Sequence, residues 1–294
     1  MNLVVPLGDG LTLAIADRHD EAVAHRHDEA TTDRGHGAPR YPTGSLQRGL
    51  LLFDHGLGLA EEGVGFGVPI LKRGIETVFP GSVELSCERS GTRLRLTAAF
   101  EMDLVERLAR PGAGSVSSRS LYAVKNSLAA LHRRSPALRG ALTATSNAVR
   151  RSFGWVTTYE RVTSAGTLPL TYTVSEGEGD VAVTLDLCDL RRDVVTEVVV
   201  MNEQGARHFD RYVDESGVSL RGAEIGTWDE VGAARASFVS VAHRVAFSLG
   251  QAEGARLHRG RELIGGRVAW SGFGYSVSPA LSTFRYELEV ARVP

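Results

Sequence analysis

Two adjacent carboxylates enter a glycine-rich apolar run at Glu61-Glu62-Gly63-Val64-Gly65-Phe66-Gly67-Val68-Pro69. On an extended backbone neighbouring side chains point to opposite faces, so one of the pair, taken here as Glu62, can enter a cleft. Burial beside Phe66 would lift that carboxyl toward the range useful for general acid or base work. The glycines would let a ligand ring come close to the backbone. The ordinary alternative is a bulged edge strand with solvated glutamates. A phosphate loop is excluded, because no Gly-Lys-Ser/Thr follows the glycines.

A second carboxylate with aromatic company lies further on. Arg261-Glu262 precedes Gly265-Gly266, and Trp270, Phe273 and Tyr275 follow, while Trp228-Asp229-Glu230 repeats the pairing of indole and acid. A sugar ring needs a flat apolar surface plus hydrogen-bonding edges, which this combination offers. Trp228, Arg261 and Trp270 are therefore expected to contact substrate, and Glu262 to act as acid or base. His208, Asp210 and Tyr212 alternate with Phe209, Arg211 and Val213. On one strand they would share a face, with His208 and Tyr212 as further acid/base groups and Asp210 as a substrate contact. A wet outer sheet face is the plain alternative.

Two more polar features stand out. His19, His25, His27 and His36 lie beside Asp20 and Asp28 in a stretch where Arg18-His19-Asp20-Glu21-Ala22 recurs as Arg26-His27-Asp28-Glu29-Ala30. Imidazole with carboxylate suits a transition metal. Copying a polar stretch also produces histidine pairs by itself, so no metal site and no cofactor are expected. Between Glu106 and Glu160 there is no acidic residue, while Arg107, Arg110, Arg119, Lys125, Arg133, Arg134, Arg139, Arg150 and Arg151 fall within it. Such a stretch can dock an anionic partner. It carries few aromatics for base stacking, which argues against nucleic acid.

The elements that must position these groups read mainly as strands. Alternating or apolar runs bounded by turn residues mark 11–15, 46–53, 64–71, 75–79, 82–88, 92–100, 155–163, 167–175, 180–188, 194–201, 207–213, 234–241, 244–249, 267–277 and 283–292. Pro80-Gly81 reads as a turn between two of them. Leu121, Val124, Leu128 and Leu131, then Leu138, Leu142, Val149 and Phe153, fall at helical spacing. The fold expected is a large antiparallel β-sandwich, or a barrel-like relative, with a basic helical hairpin inserted near 119–153. It forms a single β domain over 1–294, with 17–44 as a mobile polar loop. The alternative is two β domains, 1–110 and 155–294.

The 294 residues carry a net charge of −2 and 43% hydrophobic residues, which fits a globular chain and not a polyanion-binding one. Lys72 and Lys125 are the only lysines. Cys87 and Cys188 lie in β-patterned runs and read as buried thiols. No signal peptide and no run long enough to cross a bilayer is read in the chain, so a cytoplasmic location is expected. GxSxG, HExxH, CxxC and the dinucleotide fingerprint are all absent. The functional expectation is a carbohydrate-active enzyme, a glycoside hydrolase or polysaccharide lyase, working by acid/base chemistry. The competing expectation is a non-catalytic ligand-binding or scaffold sandwich that docks an anionic partner through the hairpin.

Overall fold

The computed structural model describes residues 3–15, 49–60, 65–74, 76–109, 156–264 and 268–294. Among them the chain is mainly β, and every strand pair is antiparallel. The first strands are β1 (Leu3–Gly8), β2 (Leu11–Ile15), β3 (Leu51–Asp54), β4 (Leu57–Gly58), β5 (Phe66–Arg73), β6 (Glu76–Phe79) and β7 (Ser82–Ser90). Next come β8 (Arg93–Glu101), β9 (Leu104–Ala109), β10 (Val156–Arg161), β11 (Thr167–Ser175), β12 (Asp180–Asp186), β13 (Glu197–Gln204) and β14 (Arg211–Asp214). The last are β15 (Ser219–Arg221), β16 (Asp229–Glu230), β17 (Arg235–Ser240), β18 (Val245–Gly250), β19 (Ala255–Ile264), β20 (Val268–Val277) and β21 (Thr283–Arg292). One 3₁₀ turn, Gly222–Ile225, precedes β16.

Two large sheets form the sandwich. One has eight strands in the order β10-β9-β6-β5-β13-β20-β19-β16, and the other nine in the order β15-β14-β17-β18-β21-β12-β11-β8-β7. Strands from before residue 110 and after residue 155 share both sheets. A third sheet, β1-β2-β3-β4, is tied to the first by the Leu50–Phe66 bridge and by the bond from the Gly205 amide to the Leu59 carbonyl. Pro80-Gly81 does not close a hairpin: β6 and β7 belong to different sheets, so it is the corner between layers.

Alternation decides what fills the middle. On β11 the buried residues are Leu168, Leu170, Tyr172 and Val174, and on β21 they are Phe284, Tyr286, Leu288 and Val290. Facing them from the eight-stranded sheet are Val198 and Val200 of β13 and Phe273, Tyr275 and Val277 of β20. Phe273 meets the rings of Phe238, Phe247 and Tyr212, mostly edge to face. A polar bridge crosses this apolar layer. Asn202 Oδ1 accepts from the Tyr286 hydroxyl at 2.8 Å and from the Gly67 amide at 3.1 Å. Tyr172 donates to the Phe66 carbonyl at 2.7 Å. These bonds hold the bulge in β5, where the pairing slips between Met201 and Asn202 and Gly65 and Gly67 take left-handed φ of 84° and 81°.

Several expectations need correction or fall elsewhere. Cys87 and Cys188 are both exposed free thiols, because β7 is an edge strand and Cys188 lies in a turn. The basic helical hairpin expected at 119–153, with any anionic partner it would dock, and the histidine-rich loop at 17–44 lie outside the described residues. Among the described residues there is no α-helix, and no helix is long and apolar enough to cross a membrane.

Candidate functional site

The eight-stranded sheet has a second face, turned away from the sandwich core. On β13 the residues between the core-facing ones are Val199, Met201 and Glu203. On β20 they are Trp270, Gly272, Gly274 and Ser276, and on β19 Arg256, His258, Gly260 and Glu262. Register makes rows of these. Glu262 stands opposite Trp270, Gly260 opposite Gly272 opposite Glu203, and His258 opposite Gly274 opposite Met201.

The glycines have a steric purpose. A Cβ on Gly274 would sit 2.1 Å from the far ring edge of Trp228, and one on Gly260 would sit 2.5 Å from that of Trp270. Both indoles therefore lie on bare backbone. Trp228 stacks on His258, with centroids 5.1 Å apart and planes 10° from parallel. Trp270 donates its indole N–H to Glu262 Oε2 at 3.1 Å, which fixes ring and carboxylate together. Beneath them Val68, Val199 and Met201 form a small apolar cluster, with Ile70 and both indoles packed on it. The short strand β16 holds Trp228 in place: Glu230 pairs with His258, and the Arg261 amide bonds the Gly226 carbonyl.

Polar groups in this surface are unusually dry. Glu203 is 6% and His258 8% exposed. Charged side chains are rarely this buried without a task or a partner. Glu203 and Glu262 stand two strands and one residue pair apart, about 12 Å between Cα atoms at ordinary sheet spacing. Both carboxylates thus belong to the sheet face that carries the indoles. Such a surface can stack an apolar ring face, accept hydrogen bonds from hydroxyls and exchange protons at carboxylate or imidazole.

Of the residues singled out by sequence, the structure brings Glu262, Trp228 and Trp270 into this one place. Glu62 lies outside the described residues. Arg261 points the other way, into the end of the sandwich, where its Nη2 donates to the Ala206 carbonyl at 3.0 Å. His208, Asp210 and Tyr212 do not share a strand face. A turn over Ala206–His208, closed by the His208 and Phe209 amides on the Gly205 carbonyl, breaks the alternation. Asp210 is exposed, and its carbonyl accepts from the Gly222 amide. Tyr212 is buried in the core under the Arg259 guanidinium, 4.8 Å from the ring centroid. Burial, and then the Asp214 carboxylate that accepts its hydroxyl at 2.8 Å, hold its phenol well above the ordinary range. That phenol is a poor candidate for a base at neutral pH.

Two members of the site escape a sequence reading, Glu203 and His258. Glu203 falls in Glu203-Gln204-Gly205, which reads as a turn beyond the strand expected over 194–201, whereas β13 continues to Gln204. His258 lies in Ala255-Arg256-Leu257-His258-Arg259-Gly260-Arg261-Glu262-Leu263-Ile264, where charges on both faces hide the strand. Three glycines at 260, 272 and 274 beside two tryptophans were the available signal.

No protein-family model matches the chain, and no curated protein matches it. Solved structures with a related outline exist at very low identity. An α-N-acetylgalactosaminidase from Bifidobacterium bifidum, solved with GalNAc, is 11% identical with a TM-score of 0.48. The likeness covers 99% of this chain but 36% of that one, so this chain spans about a third of its length. The Slr1438 protein of Synechocystis sp. PCC 6803 is 8% identical with a TM-score of 0.41, over 99% of this chain and 96% of the other. A protein of Escherichia coli K12 assigned as an aldose 1-epimerase is 9% identical with a TM-score of 0.40, over the whole of both chains.

Proposed function

We propose that the outer face of the eight-stranded sheet is the active site of a carbohydrate-active enzyme, with Glu203 and Glu262 as its acid/base carboxyls. The observation that carries this reading is the pair of indoles laid on bare glycine backbone on one face with two carboxyls and a dry imidazole. Trp228 and Trp270 form the platform for the apolar face of a sugar ring. Glu262, oriented by the Trp270 N–H, and Glu203, set into the sheet two strands away, share the face of that platform. Glycosidic cleavage uses two carboxyl groups, one on each side of the scissile bond. His258, stacked beneath Trp228, supplies a third proton-exchanging group.

The test is a panel of mono- and oligosaccharides screened for binding by calorimetry and for turnover by product analysis. Trp270→Ala is expected to weaken binding about tenfold or more. Glu262→Gln and Glu203→Gln are each expected to lower kcat by about 10²–10⁴ with binding retained. Full turnover in both glutamine variants would remove the catalytic assignment. Binding with no turnover of any saccharide would reduce the site to recognition.

A further inference from the structure

The outer face of the eight-stranded sheet continues past the indoles. Two positions along the strands from His258 and Gly274 stand Arg256 of β19 and Ser276 of β20, directly opposite each other. Their row runs on through Val199 of β13 to Ile70 of β5. Val199 and Ile70 belong to the apolar floor under the indoles, so the row is part of the same surface. Two residues of strand span about 7 Å, which is the scale of one sugar ring with its linkage. Glu197, two positions before Val199, falls on this face by alternation. Here the surface opens into a groove of about 690 Å³, lined in part by Arg256, Ser276 and Glu197. Sites for small molecules occupy roughly 300–1,000 Å³, so a sugar unit has room.

The polar groups of the groove are arranged as opposites. Ser276 is 8% exposed and donates its hydroxyl to Glu197 Oε1. That bond takes up one carboxylate oxygen. Among the described residues, none bonds Glu197 Oε2 and none bonds the exposed Arg256 guanidinium. A guanidinium only donates and a carboxylate only accepts. The two are carried on β19 and β13, two strand spacings or about 10 Å apart at the backbone. Neighbouring hydroxyls of a sugar ring fit such a pair, since each can both give and accept a hydrogen. A carboxylate on that ring would be drawn to Arg256 but repelled by Glu197, which favours a neutral unit.

We propose that Arg256, Ser276 and Glu197 form a second sugar subsite, so that the site on this face takes a neutral oligosaccharide of at least two units. This deepens the saccharide reading of the indole face and rests on it. Trp228 and Trp270 hold one unit. The adjoining unit lies in the groove, where Arg256 donates to one hydroxyl and Glu197 Oε2 accepts from another. Ser276 holds the Glu197 carboxylate in place. The part of these three residues is recognition, and none of them carries a proton in the reaction.

Calorimetry on the full chain compares each single sugar unit that binds with a disaccharide built on it, beginning with methyl β-galactoside against lactose and methyl α-glucoside against maltose. The disaccharide is expected to bind about tenfold or more tighter, the worth of one further hydrogen bond to a charged group. Arg256→Ala and Glu197→Ala are each expected to cut that ratio to about threefold or less. A ratio near one in the wild-type chain, with the single unit bound, overturns the subsite and leaves the reading of the indole face standing. An unchanged ratio in the folded variants overturns the assignment of these residues. Digalacturonate bound more tightly than every neutral disaccharide overturns the preference for a neutral unit. Absence of binding by any saccharide removes the subsite and the reading beneath it together.

Discussion

At the scale of single residues, the absent side chains are as informative as the present ones. Trp228 rests on Gly274 because nothing projects from that backbone position. Gly274→Ala places a methyl group 2.1 Å from the indole edge, and a tryptophan ring cannot bend away. The expected outcome is displacement of Trp228 from His258 and a stability loss of about 1–3 kcal/mol. A shift in tryptophan emission, together with weakened saccharide binding, checks it. Asp54 makes a different prediction. Burial raises its folded carboxyl, but the bonds from Arg292 and His243 outweigh that and leave it below the ordinary value of 3.8, so the unfolded chain binds the proton more readily. Its stabilising contribution is therefore complete above about pH 4 and lost as pH falls through the folded value. Asp54→Asn should be less stable than the wild type at pH 7 by about 1.5–3 kcal/mol, the worth of hydrogen bonds to a charged group. Urea denaturation at falling pH should show that gap closing below about pH 4.

At the scale of elements, β5 and β19 show why regular patterns were broken. In β5 the bulge brings Gly67 against Tyr172, where a Cβ would lie 2.5 Å from the phenol oxygen. Its φ of 81° also disfavours any L side chain. Gly67→Ala should cost about 1–3 kcal/mol by thermal or urea unfolding. In β19 both faces carry charge for separate reasons. Arg259 turns inward, over Tyr212 and onto the Ile225 carbonyl at 3.2 Å, while His258 and Glu262 turn outward under and beside the indoles. A hydropathy pattern reads a strand only when one face is apolar. This strand satisfies its inner polar groups by specific partners instead, so it is silent to periodicity although it carries half of the candidate site.

At the scale of the whole molecule, the outer face is the back of strands whose inner face carries the aromatic layer between the sheets. Phe273 is fully buried against Phe238, Phe247 and Tyr212 and is next to Gly274, which bears the Trp228 indole. Phe273→Ala is expected to destabilise the chain by about 3–5 kcal/mol. A lower urea midpoint with an unchanged slope would show a weakened core and an otherwise intact native state. A changed slope would contradict that account.

The amino-acid order by itself was enough for the β architecture and for many strand positions. Strands over 167–175 and 283–292 were expected and occur at those bounds, because each buries one face and wets the other. It was enough also to connect Glu262 with Trp270, which a single hairpin places opposite one another. Glu203, His258 and the bond between His243 and Asp54 required the tertiary structure. Their partners lie as far as 189 positions away, as between Asp54 and His243. Local alternation tells which side chains share a face of one strand. Only packing sheets edge to edge and face to face decides which faces of distant strands meet, and which carboxyls and imidazoles lose their water together.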